Sequence, residues 1–231
     1  MIIVFAQEHD ENANSLVRRW KDRGAQLMVP ADLSRAGWSC ASRDPVNSQC
    51  VIEGVGHDAS EIRGVLVRSP AVIASDLPHI APSDRSYVAS EMTAFLVYWL
   101  SALRCPVLNR PTPRSLYGPG WYPEHWMHYA ARAGLRVKPM NRSIKLTSID
   151  HPSWPAHSEP FTELTVVGRA AFGNAAPDLA ENARALATAA GVDLVKFRFD
   201  GAAADACFLQ ADLCPTLDDE RVEQAVLGYF A

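Results

Sequence analysis

Three side chains in the first half of the chain stand where open α/β proteins hold their ligands. Arg68 closes the apolar run Val65-Leu66-Val67, and Asn109 and Arg110 close Pro106-Val107-Leu108, with prolines following at 70 and 111. A buried strand delivers whatever follows it to its C-terminal end, and a guanidinium or amide placed there can hydrogen-bond a carboxylate or a phosphate. These tips are therefore expected to be recognition groups. Glu8, His9 and Asp10 occupy the same kind of position after the first apolar run, 2–5. Acidic side chains there either touch a ligand or simply favour a helix N-terminus.

The other residues capable of chemistry lack partners at a telling spacing. His125 and His128 lie three apart and share a helix face, yet a zinc site needs a third and a fourth ligand and none is near in sequence. With Trp126, Tyr129, Ala130 and Ala133 supplying the buried side, both imidazoles are expected on the wet side; His151 and His157, in the loop HPSWPAH, are read the same way. Cys40, Cys50, Cys105, Cys207 and Cys214 are an odd number without close pairing, which excludes a disulfide framework and a zinc knuckle. Cys105 and Cys207 sit among apolar residues and are expected to act as small core hydrophobes. Glu91, His125 and Cys214 could serve as acid, base or nucleophile, but no pair of them has a spacing that predicts proximity, so no catalytic residue is assigned. The loop RPTPRSLYGPGWYP is not a phosphate cradle, because no lysine, serine or threonine completes its glycine pair.

The elements that must position these groups alternate. Residues 2–5 read as a strand, Leu16, Val17 and Trp20 as a short helix ending near Gly24, and 26–29 as a second strand. The region 31–63 is mixed, with a turn at Asp44-Pro45 and a short edge strand at 49–53, so a hairpin or loop is expected there. Between Gly64 and Asn109 a strand is followed by Val88, Met92, Phe95, Leu96, Trp99, Leu100 and Leu103 at steps of three and four, capped at Ser83 or Asp84, and then by a very short strand. Strand, long helix, strand is the unit of a parallel sheet. A helix over 124–132 closed by Gly134, a strand over 164–167, a helix with Leu179, Ala183, Leu186, Ala187 and Ala190 on one face, strands over 192–199 and 206–209, and a terminal helix complete the chain.

Composition sets the outer limits. The 231 residues are 48% hydrophobic, enough for a large core in one domain or two. A net charge of −4 with no basic run longer than a pair leaves no electrostatic footprint for nucleic acid. No apolar run reaches the roughly 18 residues of a membrane span, and the apolar start is too short for a signal peptide, so a cytoplasmic protein is expected.

Taken in order, the opening IIVFAQEHDENANSLVRRWKDRGAQLMVP, the strand GVLVRSP, the block EMTAFLVYWLSALRCPVLNRP from Glu91 to Pro111, the helix ending AARAGLRV, and the tail ELTVVGRAAFG, VDLVKFRFDG and ACFLQADLCPTL resemble the ATP-grasp ligases. They are most similar to the ribosomal-protein glutamate ligases and the ligases that cyclise microviridins. The resemblance implies an α/β fold: a parallel-sheet pre-ATP-grasp-like domain over 1–110, a connector with one helix over 111–161, and a reduced ATP-grasp-like core over 162–231. It also implies Arg68, Glu91, Asn109 and Arg110 as substrate-binding groups.

The departures from the family pattern decide the expected function. That family holds ATP with magnesium, and its metal-binding strand ends in a glutamate and an asparagine two residues apart before a proline. The matching positions here are Gln210 and Asp212 before Pro215, and the aspartate expected on the preceding strand aligns with Arg198. Asp200 could replace it only if the register shifts by two, so Asp200 and Asp212 are weak metal candidates. Only 21 residues, 140–160, stand where the family inserts the lid that covers ATP, and one strand-crossover-strand unit needs about 30. The lysine expected before the helix over 124–132 is absent, its neighbourhood reading Gly120-Trp121-Tyr122-Pro123. The resemblance thus implies a non-catalytic binding or partner subunit without cofactor, recognising a peptide, an amino acid or a catalytic ligase, or pairing with a second copy. The alternative is an active ATP- and magnesium-dependent carboxylate-amine ligase with a reduced lid.

Overall fold

The computed structural model describes residues 1–41, 44–139 and 161–231. They form two compact units, one of residues 1–119 and 216–231 and one of 120–215.

The first unit is built on a parallel sheet of four strands, β1 (Ile2–Phe5), β2 (Ala25–Met28), β6 (Gly64–Val67) and β7 (Val107–Leu108), in the order β2-β1-β6-β7. Continuous apolar sequence makes β1 and β6 buried along their whole length, as strands covered on both faces must be. Helix α1 (Glu11–Arg19) carries the chain from β1 to β2 on one side, whereas the next strand, β6, lies on the other side of β1. The crossovers diverge at β1 and β6, which makes their C-terminal ends a topological switch point. Helix α2 (Arg85–Ala102) leads from β6 to β7 and buries Ala89, Leu96, Trp99 and Leu100, with Val88, Met92 and Phe95 packed half-buried beside them. Between β2 and β6 in sequence comes a separate antiparallel set, β3 (Ser39–Ala41), β4 (Asp44–Ile52) and β5 (Val55–Asp58), where a hairpin or loop is expected; β4 is its middle strand rather than an edge, and it contains the expected turn residues Asp44-Pro45. Its buried Ser48 accepts a hydrogen bond from the Trp99 indole at 3.1 Å.

The terminal helix α5 (Glu220–Tyr229) belongs to this unit. Glu223 accepts the indole N–H of buried Trp20 at 2.6 Å and the Nε of Arg19 at 3.0 Å. At its end the Phe230 ring lies on the backbone of Gly64, where a Cβ would overlap the ring. Glycine is required there for close approach.

The second unit is a five-stranded sheet in the order β10-β9-β11-β12-β8, formed by β8 (Arg136–Val137), β9 (Thr162–Val167), β10 (Ala170–Gly173), β11 (Leu194–Phe199) and β12 (Cys207–Asp212). All pairs are antiparallel except β12 with β8. Helices α3 (Pro123–Arg132) and α4 (Pro177–Ala190) pack against it, and Trp126 of α3 meets Phe197 edge-on, with Phe199 and Phe208 completing an aromatic core. Gly134 (φ 85°) follows α3 as expected, and Gly191 (φ 65°) ends α4. No helix among the described residues is long and apolar enough to cross a membrane.

Candidate functional site

In the second unit, strand alternation sorts the chemistry onto one face. Val195, Phe197 and Phe199 are buried, and the period of two turns Lys196 and Arg198 to the opposite face. Register places Arg198 between Glu163 of β9 and Gln210 of β12, and Lys196 between Thr165 and Asp212. One sheet face therefore collects Glu163, Thr165, Lys196, Arg198, Gln210 and Asp212.

The network on that face is closed on itself. Glu163 takes Arg198 Nε on one carboxylate oxygen at 3.0 Å and Lys196 Nζ on the other at 3.1 Å. The Arg198 guanidinium also reaches Gln210 Oε1 at 3.5 Å and lies over the Phe161 ring, 4.7 Å from its centroid. Burial pulls the Glu163 carboxyl upward, but the hydrogen bonds and charges of Arg198 and Lys196 win and hold it below the ordinary carboxylate range.

The two weak metal candidates are separated from one another. Asp212 lies opposite Lys196 and spends Oδ1 on the backbone N–H of Cys214 at 2.9 Å. Asp200 does not take the place of Arg198. The irregularity between Arg198 and Phe199 carries Asp200 beyond the strand, where it accepts the Cys207 N–H at 2.7 Å and pairs with Lys138 at 3.0 Å. Desolvation opposes ionisation of Asp200, yet these partners hold its carboxyl below the ordinary range. Among the described residues no three histidine, cysteine or acidic side chains cluster as a metal site requires. Magnesium is a hard dication that needs carboxylate and carbonyl oxygens. An arginine and an amide at two of the matching positions, 198 and 210, with a lysine opposite the third, Asp212, do not fit it.

In the first unit the switch point holds a buried ion pair. Asp10 follows β1 and Arg68 follows β6; Arg68 Nε donates to Asp10 Oδ2 at 3.0 Å, with side chains only 5% and 19% exposed. The same carboxylate caps α1 by accepting the Ala13 N–H at 2.9 Å on Oδ1. Asp10 thus combines the helix-start role with a contact at the strand ends, while Glu8 and His9 are exposed. Asn109 is buried at the end of β7. Arg110 is exposed, and its guanidinium turns back onto the C-terminus of α2, donating to the carbonyls of Leu100 and Leu103 at 3.4 Å and Cys105 at 3.1 Å. Glu91 is exposed on α2. The strand ends thus bring Arg68 to Asp10, and Arg110 goes to the helix terminus.

His125 and His128 are both exposed on α3, as expected. His151, His157 and the short segment 140–160 lie outside the described residues. The fully buried thiol is Cys50, pushed up to about 11 by desolvation, whereas Cys105, Cys207 and Cys214 are half-buried. Cys105 still packs against the core of the first unit. Sequence reasoning missed Glu163 and Lys196. Their signal was present as alternation in Thr162-Glu163-Leu164-Thr165-Val166 and Val195-Lys196-Phe197-Arg198-Phe199.

This fold, a parallel α/β sheet in one unit and an antiparallel sheet backed by two helices in the other, is the fold of the ATP-grasp ligases. The particular structures it is similar to include the macrocyclase MdnC bound with precursor peptide MdnA from Microcystis aeruginosa MRC, at 11% identity and a TM-score of 0.67 over 100% of this chain and 99% of that one. The ATP-grasp ligase PsnB, complexed with a phosphomimetic variant of its minimal precursor, Mg and ADP, matches at 11% identity and a TM-score of 0.65 over 100% and 98%. A RimK domain protein from Sphaerobacter thermophilus DSM 20745 matches at 14% identity and a TM-score of 0.50 over 99% and 97%. At such identities the likeness carries the fold alone. No protein-family model and no curated protein matches the sequence.

Proposed function

We propose that the chain is a non-catalytic ATP-grasp-like subunit that recognises a peptide or amino-acid ligand, or assists a catalytic ligase. The observation that carries this reading is the placement of Arg198 opposite Gln210 and of Lys196 opposite Asp212, with Glu163 shared between both cations. The two cations compete with a dication for Glu163, and the amide Gln210 beside Asp212 leaves no carboxylate pair on β12 to bridge metals. The alternative, an active ligase using Asp200 and Asp212, would need the two aspartates on one metal, whereas each is engaged elsewhere. The structures this chain is similar to include ligases bound to precursor peptides, which supports a peptide as the ligand class. Of the four expected recognition groups, Arg68 and Asn109, at the strand C-termini, keep that role in the proposal. The test is isothermal titration with ATP and magnesium: no saturable heat is expected, and micromolar magnesium-dependent binding would overturn the reading.

A further inference from the structure

The first unit carries a groove of about 390 Å³ on the side of its sheet away from β6, between α1, β2 and the β4–β5 hairpin. Strand β2 forms the edge of the sheet there. The ladder bonds at its ends, Ile2 N–H to the Gly24 carbonyl and Ala6 N–H to the Met28 carbonyl, fix the parity of the strand. Gln26 and Met28 face β1, while Ala25 and Leu27 turn their main-chain groups outward. The Ala25 N–H returns to the Trp20 carbonyl, which leaves the N–H and C=O of Leu27 open at the groove. The apolar part of the wall around them comes from Val17 and Val55, the latter 57% exposed, with Ile52 buried behind it. The rim is basic: Arg18 and Lys21 line the groove with no ion-pair partner among the described residues, against one carboxylate, Glu53.

We infer that this groove takes an extended acidic peptide segment that adds to the edge of β2 as a strand. An edge strand supplies main-chain hydrogen bonds to such a segment, and flanking pockets select alternate side chains. Here the peptide's acidic side chains meet Arg18 and Lys21, and its apolar ones meet Val17, Leu27 and Val55. The inference rests on the recognition reading above for its ligand class and adds a second contact surface, at the β2 edge, that contains neither Arg68 nor Asn109. It requires no nucleotide, so its failure is distinguishable from a failure of the nucleotide test.

The experiment uses the full chain and a fluorescein-labelled hexapeptide of alternating valine and glutamate, followed by anisotropy, with a valine-lysine hexapeptide as control. Saturable binding of the acidic peptide is expected, at least tenfold tighter than the lysine peptide. The double variant Arg18→Glu, Lys21→Glu should weaken it by tenfold or more while leaving the thermal midpoint unchanged. N-methylation of alternate residues tests strand addition from the peptide side: one parity should abolish binding and the other should leave it. Absence of binding, equal binding of the lysine peptide, or indifference to both methylation parities would overturn the inference.

Discussion

Replacing Glu163 by glutamine tests whether the closed network on the sheet face holds the second unit together. The carboxylate takes two charge-assisted bonds, from Arg198 and Lys196, and its side chain is about one-third exposed. A buried bond to a charged group contributes about 1.5–3 kcal/mol, and an exposed pair about 0.2–1 kcal/mol. Intermediate exposure places each bond near 1 kcal/mol. The repulsion between Lys196 and Arg198, two residues apart on one strand, is the same in both proteins and cancels in the comparison. The two bonds together therefore contribute about 2 kcal/mol. At roughly 2–4 °C per kcal/mol for a chain of this size, Glu163→Gln should lower the melting temperature by about 4–8 °C at pH 7. The folded carboxyl sits below its ordinary value, so its contribution is present above the unfolded carboxylate range and is lost as pH falls through the folded value. Scanning calorimetry across pH 7 to 3 should therefore show the two proteins converging in acid. A shift under about 1 °C at pH 7, or a gap that does not shrink with acid, would refute the reasoning.

Asp10→Asn keeps an N-cap oxygen for α1 but removes the charge facing buried Arg68, and urea denaturation should show a loss of about 1–3 kcal/mol. Asp10→Ala removes the cap as well and should cost about 1 kcal/mol more. Gly64→Ala forces the Phe230 ring away from β6 and should destabilise the first unit by about 1–3 kcal/mol, with faster proteolytic release of the C-terminal helix as the direct readout. Protection of that helix equal to the parent protein would show that the close approach is not a constraint.

Much of the scaffold could be read from periodicity. The unit β6-α2-β7 follows from two short apolar runs around a helix-spaced stripe, and both strands pair in parallel as that pattern requires. The hairpin within 31–63 turns at Glu53-Gly54, both at positive φ, and not at Asp44-Pro45, which lies inside β4. Strand β10 did not show itself, because Ala170-Ala171-Phe172-Gly173 is short and half-exposed and carries no alternation. The seat of the terminal helix was equally hidden: the bonds from Arg19 and Trp20 to Glu223 join residues some 200 apart, and no local pattern encodes them. In the candidate site, Arg198 and Gln210 were legible as departures at two positions of the family pattern, and the register sets them opposite each other. The anion that makes a cation tolerable there was not, because Glu163 reaches Arg198 and Lys196 across the sheet from a different strand. Arg110 shows the converse. Its position after a strand suggested a ligand, whereas helix carbonyls lacking intrahelical partners attract the same guanidinium.

If Lys196, Arg198 and Gln210 on the sheet face exclude magnesium, as proposed, ATP should not bind through the metal. Isothermal titration of the full chain with ATP, in the presence of magnesium and again in EDTA, is the decisive measurement. No saturable heat is expected with magnesium. Micromolar binding that appears with magnesium and disappears in EDTA would overturn the proposal.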